Sequence, residues 1–94
     1  MECEFPDPKE IELEKVYEVR GGAKYLRFSL KKWEKHGKKR IYVNYFYHTG
    51  YHPKSRTLGF FENGEWNLMD RYAHKELREY FFNHAGEIIN AIQG

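Results

Sequence analysis

The sequence has only one cysteine and no long apolar run, and each of these features excludes a class of protein. A single cysteine excludes an internal disulfide and any zinc site built from several cysteines. No apolar run approaches the roughly 18 residues that a membrane-spanning helix needs. The first residues are acidic and include prolines, unlike a basic and then apolar signal sequence. We therefore expect a cytoplasmic protein with no membrane partner; a nucleoid-associated or viral protein remains an open alternative.

The sequence also lacks the short motifs of common catalytic and cofactor sites. It has no Gly-rich phosphate loop, no nucleophile elbow and no acidic cluster with metal-ligand spacing. His48 and His52 lie four residues apart, but glycine and proline in this segment disfavour the helix that would align them as metal ligands. A nuclease that transfers protons through these histidines beside Lys54 and Arg56 is a lesser alternative. We expect no enzymatic activity, no cofactor, no metal and no small-molecule substrate.

Aromatic side chains are abundant. Eight tyrosines, seven phenylalanines and two tryptophans make up 18% of the 94 residues, while 32% of the residues are charged. A typical domain has about 100 to 150 residues, so residues 1–94 are expected to form a single domain. A chain this short buries only about 60 to 65% of its unfolded surface, and large side chains are needed to fill its core. The aromatic content therefore favours a folded domain over disorder.

The formal net charge of +2 conceals an uneven distribution along the chain. Residues 1–19 carry a net charge of −5, residues 20–56 carry +10, and residues 57–94 carry −3. A local positive field attracts polyanions whatever the charge of the whole molecule, so the middle segment predicts an anionic partner. The alternatives are that the acidic ends fold back and neutralise the middle, or that these lysines are simply solvated.

Alternating apolar residues predict an antiparallel meander of four to five strands over residues 11–68. Two prolines mark residues 1–9 as an irregular acidic arm, and residues 11–19 alternate as a half-buried strand does. Residues 24–33 alternate most clearly, and residues 40–48 are β-branched and aromatic throughout. The side chains expected in the core of these two strands are Leu26, Phe28, Leu30, Ile41, Val43 and Tyr45. Residues 34–39 are predicted to form a connection, and residues 49–55 a mobile hairpin tip before a strand over 56–62.

A hairpin and a helix complete the predicted α+β fold. Asn63-Gly64 is the strongest short hairpin signal, because a type I′ turn needs positive φ at both central positions. It predicts that Phe61 faces Trp66 on a short fifth strand. Apolar residues then recur at three- and four-residue spacing over residues 71–92, which predicts a C-terminal helix packed on one sheet face. Asp70 is its expected N-cap, and Gly86 is a candidate break.

The opposite sheet face, called the open face here, is predicted to be both aromatic and basic. Unstacked bases offer π-faces to aromatic side chains and their backbone needs cations, so this combination favours single-stranded DNA or RNA. The candidate nucleic-acid-binding residues, on this face and on the adjoining turns, are Tyr25, Arg27, Lys31, Trp33, Lys38, Lys39, Arg40, Tyr42, Phe46, Lys54 and Arg56. The alternative is a small protein-binding regulator or inhibitor, in which a helix or partner covers the same rings.

From Lys24 to Ile92 the order of elements resembles the positive-coactivator and Whirly group of single-stranded DNA-binding proteins. In that group a curved four-stranded antiparallel sheet is followed by a helix. Residues 24–30, KYLRFSL, resemble its first strand, and the basic and aromatic residues 40–58 resemble its second and third strands. The Asn63-Gly64 hairpin and the acidic N-terminal segment depart from the pattern, and the purine-rich-element-binding repeat has a similar order of elements.

The resemblance implies a homodimer formed through the helix, with single strands bound across the sheet and its hairpin tips. It also implies a role for individual side chains of this chain. Those that would stack on bases are Trp33, Tyr42 and Phe46, and those that would meet phosphate are Arg27, Lys31, Arg40, Lys54 and Arg56.

Overall fold

The computed structural model describes residues 4–21, 26–49 and 52–93 and confirms the predicted α+β class. Its five strands pair in chain order in one antiparallel sheet, and two helices follow them. The strands are β1 (Tyr17–Val19), β2 (Leu26–Lys35), β3 (Lys38–Thr49), β4 (His52–Glu62) and β5 (Glu65–Leu68). The helices are α1 (Lys75–Asn83) and α2 (Ala85–Gln93), and a 3-10 turn occupies Pro8–Glu10. No helix in the described ranges is long and apolar enough to cross a bilayer.

The hydrophobic core lies on the side of the sheet that the helices cover, called the helix side here. The six core residues predicted in β2 and β3 are all buried. The ring of Phe81 from α1 lies edge-on to Phe28, with centroids 5.2 Å apart, and stacks on Trp66 at 5.3 Å. On the open face, none of the described side chains is fully buried. The sheet therefore has one sealed face and one accessible face.

Two tight turns join β2 to β3 and β4 to β5. Asn63 and Gly64 adopt φ of 52° and 78°, which confirms the predicted turn, and Phe61 pairs with Trp66. His36 and Gly37 adopt φ of 52° and 77° in the same way. The prediction of a longer connection over residues 34–39 was therefore wrong. A two-residue turn suffices because glycine and, less readily, histidine tolerate the left-handed region.

A β-bulge at Leu58 interrupts the pairing of β3 with β4. Val43 pairs with Gly59 and Asn44 with Thr57, so Leu58 is an extra residue on β4. Leu58 and Gly59 are both buried on the helix side, where a Cβ on Gly59 would clash with the Asn67 carbonyl and the Trp66 ring. Because side chains alternate along a strand, one extra residue exchanges the faces of all the β4 residues that precede it.

The N-terminal segment packs against the helix side. The predicted strand over residues 11–19 is limited to β1, because the chain turns at Glu14 with φ of 61°. Ile11 is nevertheless only 1% exposed, so its apolar spacing reflects burial rather than strand pairing. The acidic arm is held by the Phe5 ring stacked 4.5 Å from Tyr80, whose hydroxyl donates to the Pro6 carbonyl at 2.8 Å.

The C-terminal helix begins later than predicted and is broken earlier. α1 starts after His74, and α2 follows the break at His84, two residues before Gly86. Asp70 was expected to cap the helix. Instead its carboxylate accepts hydrogen bonds from the Tyr45 hydroxyl at 2.5 Å and the Tyr72 backbone N–H at 3.1 Å. These bonds commit Asp70 to a turn that joins β3 to the segment before α1.

Candidate nucleic-acid interface

The β2–β3 ladder brings the main candidate residues onto one face, in the register that the sequence predicts. Residues paired across an antiparallel ladder point to the same side of the sheet. The relevant pairs are Arg27 with Phe46, Lys31 with Tyr42, and Trp33 with Arg40. Tyr25 lies outside the described residues. The open face thus carries three aromatic rings and three basic side chains from two neighbouring strands.

A row of three aromatic rings crosses this face. The rings of Trp33 and Tyr42 lie 5.8 Å apart at 89°, and those of Tyr42 and Phe60 lie 5.6 Å apart at 50°. All three side chains are half-buried. Phe60 was not among the predicted residues, although the predicted pairing of Phe61 with Trp66 already implies that Phe60 faces the other way. Phe46 is on the same face, about 13 Å along β3 from Tyr42.

Arg40 holds this row of rings together. Its Nε lies 2.6 Å from Glu62 Oε2, and one terminal nitrogen donates to the Tyr42 hydroxyl at 3.1 Å. Its guanidinium carbon lies 4.3 Å from the centroid of Phe60 and 5.8 Å from that of Trp33. The hydrogen bonds to Glu62 and Tyr42 raise the pKa of Arg40 above its usual value. Arg40 is therefore engaged by its neighbours, whereas the resemblance implied a phosphate contact.

The same ion pair explains how two acidic residues can face each other in the β4–β5 hairpin. Glu62 pairs with Glu65 across the β4–β5 turn, and like charges in that position repel. The Arg40 guanidinium offsets the repulsion because it neutralises Glu62 at hydrogen-bond distance. Both side chains of the ion pair are partly shielded, with 26% and 29% of their surfaces exposed.

The exposed cations of the open face are lysines. Lys31, Lys35 and Lys38 are exposed and have no ion-pair partner among the described residues. Lys35 and Lys38 face each other beside the first turn, so two positive charges meet there. Lys39, which the sequence grouped with them, alternates onto the helix side beside Phe61. The lysines on the open face thus flank the Trp33 end of the ring row.

The bulge at Leu58 moves two predicted phosphate contacts to the opposite side of the sheet. Arg56 pairs with Tyr45, and Lys54 pairs with Tyr47. Arg56 Nε donates to the Tyr47 hydroxyl at 3.1 Å, which raises the pKa of Arg56 above its usual value. Arg56 also lines a cavity of about 350 Å³ on the helix side. Lys54 and Arg56 therefore do not share a face with Trp33, a separation that the alternation of β4 alone could not reveal.

A groove of about 330 Å³ opens beside the ring row. The residues that line it are Lys31, Lys32, Trp33, Tyr42, Asn44 and Thr57. Lys32 pairs with the core residue Ile41, so its side chain points to the helix side. At its floor the Thr57 hydroxyl donates to Asn44 Oδ1 at 3.1 Å, and both residues are half-buried. Thr57 was not predicted to contribute to a site, because only the bulge turns it to the open face.

The described residues do not form a site around His48 that would suit a nuclease or a metal ion. His48 pairs with Pro53 at the far end of β3, and the side chain of His52 lies outside the described residues. Within the described ranges, no three His, Cys, Asp or Glu side chains are grouped so that they could hold a metal ion.

Comparison of the chain with protein-family models, with curated proteins and with solved structures gave no match. The resemblance to the positive-coactivator and Whirly group rests on the order of elements and on the pattern of residues 24–58.

Proposed function

We propose that the protein binds single-stranded DNA or RNA across the open face of its sheet and catalyses no reaction. The observation that carries this proposal is the row of half-buried rings beside lysines that have no ion-pair partner among the described residues. Aromatic side chains stack on unpaired bases with about 1 to 3 kcal/mol per base, and lysines attract the phosphate backbone.

The distribution of acidic groups supports the same face. The acidic N-terminal arm packs beside Tyr80 on the helix side, away from Trp33 and Lys31. The described part of the arm therefore does not cover the open face, where Glu18 of β1 pairs with Arg27 and the lysines of β2 and β3 stay exposed. Glu62 lies beside the ring row, and Arg40 already balances its charge.

Single strands are favoured over duplexes because of the rings. A duplex keeps its bases stacked inside and offers mainly phosphate to a flat protein surface. Trp33, Tyr42 and Phe60 would then remain in water, whereas an unstacked strand can cover them.

Fluorescence anisotropy with labelled single- and double-stranded DNA of about a dozen nucleotides, a length within the range of single-strand binding sites, tests the proposal. Lys31, Lys35 and Lys38 would meet about three phosphates, which predicts a slope of log K against log [salt] of about −2. Tighter binding of the single strand with this slope supports the proposal. Equal affinity for the duplex, or affinity that salt does not change, contradicts it.

A cytoplasmic location is part of the proposal, since a reducing compartment suits a chain with one cysteine.

A second candidate function is self-association on the opposite side of the molecule. Phe82 on α1 is 76% exposed and Leu68 on β5 is 40% exposed. With Trp66, Arg78 and Glu79 they line a groove of about 410 Å³ beside the outer strand of the sheet. A second copy could cover this groove, pairing Arg78 of one copy with Glu79 of the other. Sedimentation equilibrium of the wild type and of Phe82→Ser tests this; a wild-type monomer contradicts it.

A further inference from the structure

The groove beside the ring row has the features of a site for one particular kind of base. Its walls are the rings of Trp33 and Tyr42, which stand nearly perpendicular to each other at 89°. A flat ring stacked on one wall would therefore be limited at its edge by the other. This arrangement fixes the position of a single base rather than letting it slide along the row.

The floor of the groove presents hydrogen-bond donors. An asparagine amide has one oxygen and an NH₂ group with two N–H donors. Because Thr57 donates to Asn44 Oδ1, the amide is oriented with its Nδ2 left over, and Nδ2 has no partner among the described residues. Lys31 at the rim adds further donors and no acceptor.

Donors on the protein select acceptors on the base. Thymine and uracil carry a carbonyl oxygen at position 4, whereas cytosine carries an amino group there. A carbonyl would accept from Asn44 Nδ2, while an amino group would place one donor against another and leave both unsatisfied. We propose that the groove binds one thymine or uracil base, stacked on Trp33 with its 4-carbonyl accepting from Asn44. This inference rests on the proposed function.

The bulge at Leu58 is needed to form this site. Thr57 lies opposite Asn44 on the open face only because β4 carries one extra residue. In a regular strand residue 57 would face the helix side, and the amide of Asn44 would lose the hydroxyl that orients it.

Anisotropy titrations with labelled oligo(dT), oligo(dU) and oligo(dC) of equal length test the base preference. Wild-type protein should bind oligo(dT) and oligo(dU) alike and about tenfold tighter than oligo(dC), as expected for one hydrogen-bonded base contact. Asn44→Ala should abolish this preference by weakening binding to the first two. Ser29→Ala is the matched control, since Ser29 pairs with Asn44 on the open face but does not line the groove.

A second variant distinguishes loss of the hydrogen bond to the base from loss of the fold. Asn44→Asp keeps an oxygen for Thr57 and replaces the NH₂ donors with an acceptor, so it should favour oligo(dC) over oligo(dT). Circular dichroism establishes that each variant is folded. Equal wild-type binding to oligo(dT) and oligo(dC), or an Asn44→Ala variant that weakens all three ligands equally, overturns the base preference and leaves the proposed function standing. Absence of binding to any single strand overturns both.

Discussion

The two tryptophans lie on opposite sides of the same sheet, and their surroundings differ. Trp66 on the helix side packs against Phe61 at 4.9 Å and stacks on Phe81 at 5.3 Å. The ring of Trp33 on the open face stands perpendicular to that of Tyr42, and its centroid lies 5.8 Å from the guanidinium carbon of Arg40. Apolar rings surround one indole, and polar or charged groups border the other. Both indoles are half-buried, but Trp66 packs against the core, whereas Trp33 would offer its surface to a base under the proposed function.

Burial of the side chains around the two indoles separates the two faces. Phe28, Leu77 and Phe81 on the helix side are 0% exposed, whereas Trp33, Tyr42 and Phe60 are all half-buried. Removing a side chain from the helix side should therefore cost stability, and removing one from the open face should cost binding.

The largest effect is expected at the centre of the helix side. Phe81→Ala should lower the free energy of unfolding by about 3 to 5 kcal/mol, because it leaves a cavity among Phe28, Trp66 and Tyr80. Urea denaturation measures this change. Tyr72→Ala is the control, since the Tyr72 ring is 98% exposed and its loss should change stability by about 0.5 kcal/mol or less. Similar losses in both variants would contradict the assignment of the core.

Trp33→Ala should show the reverse pattern on the open face. Loss of the stacking surface should weaken single-strand binding by about 1 to 3 kcal/mol. The free energy of unfolding should fall by only about 1 kcal/mol, and the salt slope should not change. Anisotropy and urea denaturation provide the two readouts. Unfolding of the variant would mean that Trp33 belongs to the core.

Alkaline pH should lower the stability of the fold by ionising Tyr45 on the helix side. Burial and the hydrogen bond to Asp70 raise the pKa of Tyr45 well above its usual range. The neutral phenol is thus favoured in the folded state, and its stabilising contribution is complete below about pH 10 and is lost as pH rises further. Burial also raises the pKa of Tyr80 above its usual range.

Urea denaturation between about pH 8 and pH 11, which spans the ordinary tyrosine pKa, measures this loss. Tyr45→Phe should make the stability less dependent on pH in that range. Tyr72→Phe should leave the dependence unchanged, because Tyr72 is 98% exposed. A Tyr45→Phe variant that retains the full alkaline loss would contradict the role of this phenol.

The smallest effect distinguishes two cations of the open face. Lys31→Ala should reduce the magnitude of the salt slope by about 0.7, the contribution of one phosphate on a single strand. Arg40→Gln should weaken binding without changing the slope, because Arg40 supports the rings and its charge is paired with Glu62. Titrations at several salt concentrations separate the two. A slope that changes equally in both variants would restore Arg40 as a phosphate contact.

Local patterns were enough to predict the sheet and the faces of β2 and β3. Strand alternation places Phe28 and Val43 in the core, and the Asn63-Gly64 turn fixes the pairing of Phe61 with Trp66. These features depend on residues near one another in sequence, so spacing and turn chemistry suffice.

The remainder depends on contacts between distant residues. The bulge at Leu58, where Leu58 and Gly59 are both buried on the helix side, moves Arg56 off the open face and Thr57 onto it. The pairing of Arg40 with Glu62 joins residues that are far apart in the chain. At Ile11, burial without strand pairing produced the same spacing as a strand. Composition indicated a basic aromatic surface but could not indicate which cations remain available.

Tryptophan fluorescence during titration with single-stranded oligo(dT) tests the central claim most directly, because the two indoles report on opposite faces. In Trp66→Phe the remaining Trp33 should be quenched as a base stacks on it. In Trp33→Phe the remaining Trp66 should keep its emission when the oligonucleotide is added. Quenching that persists in Trp33→Phe and is absent in Trp66→Phe would mean that nucleic acid binds on the helix side, contrary to this account.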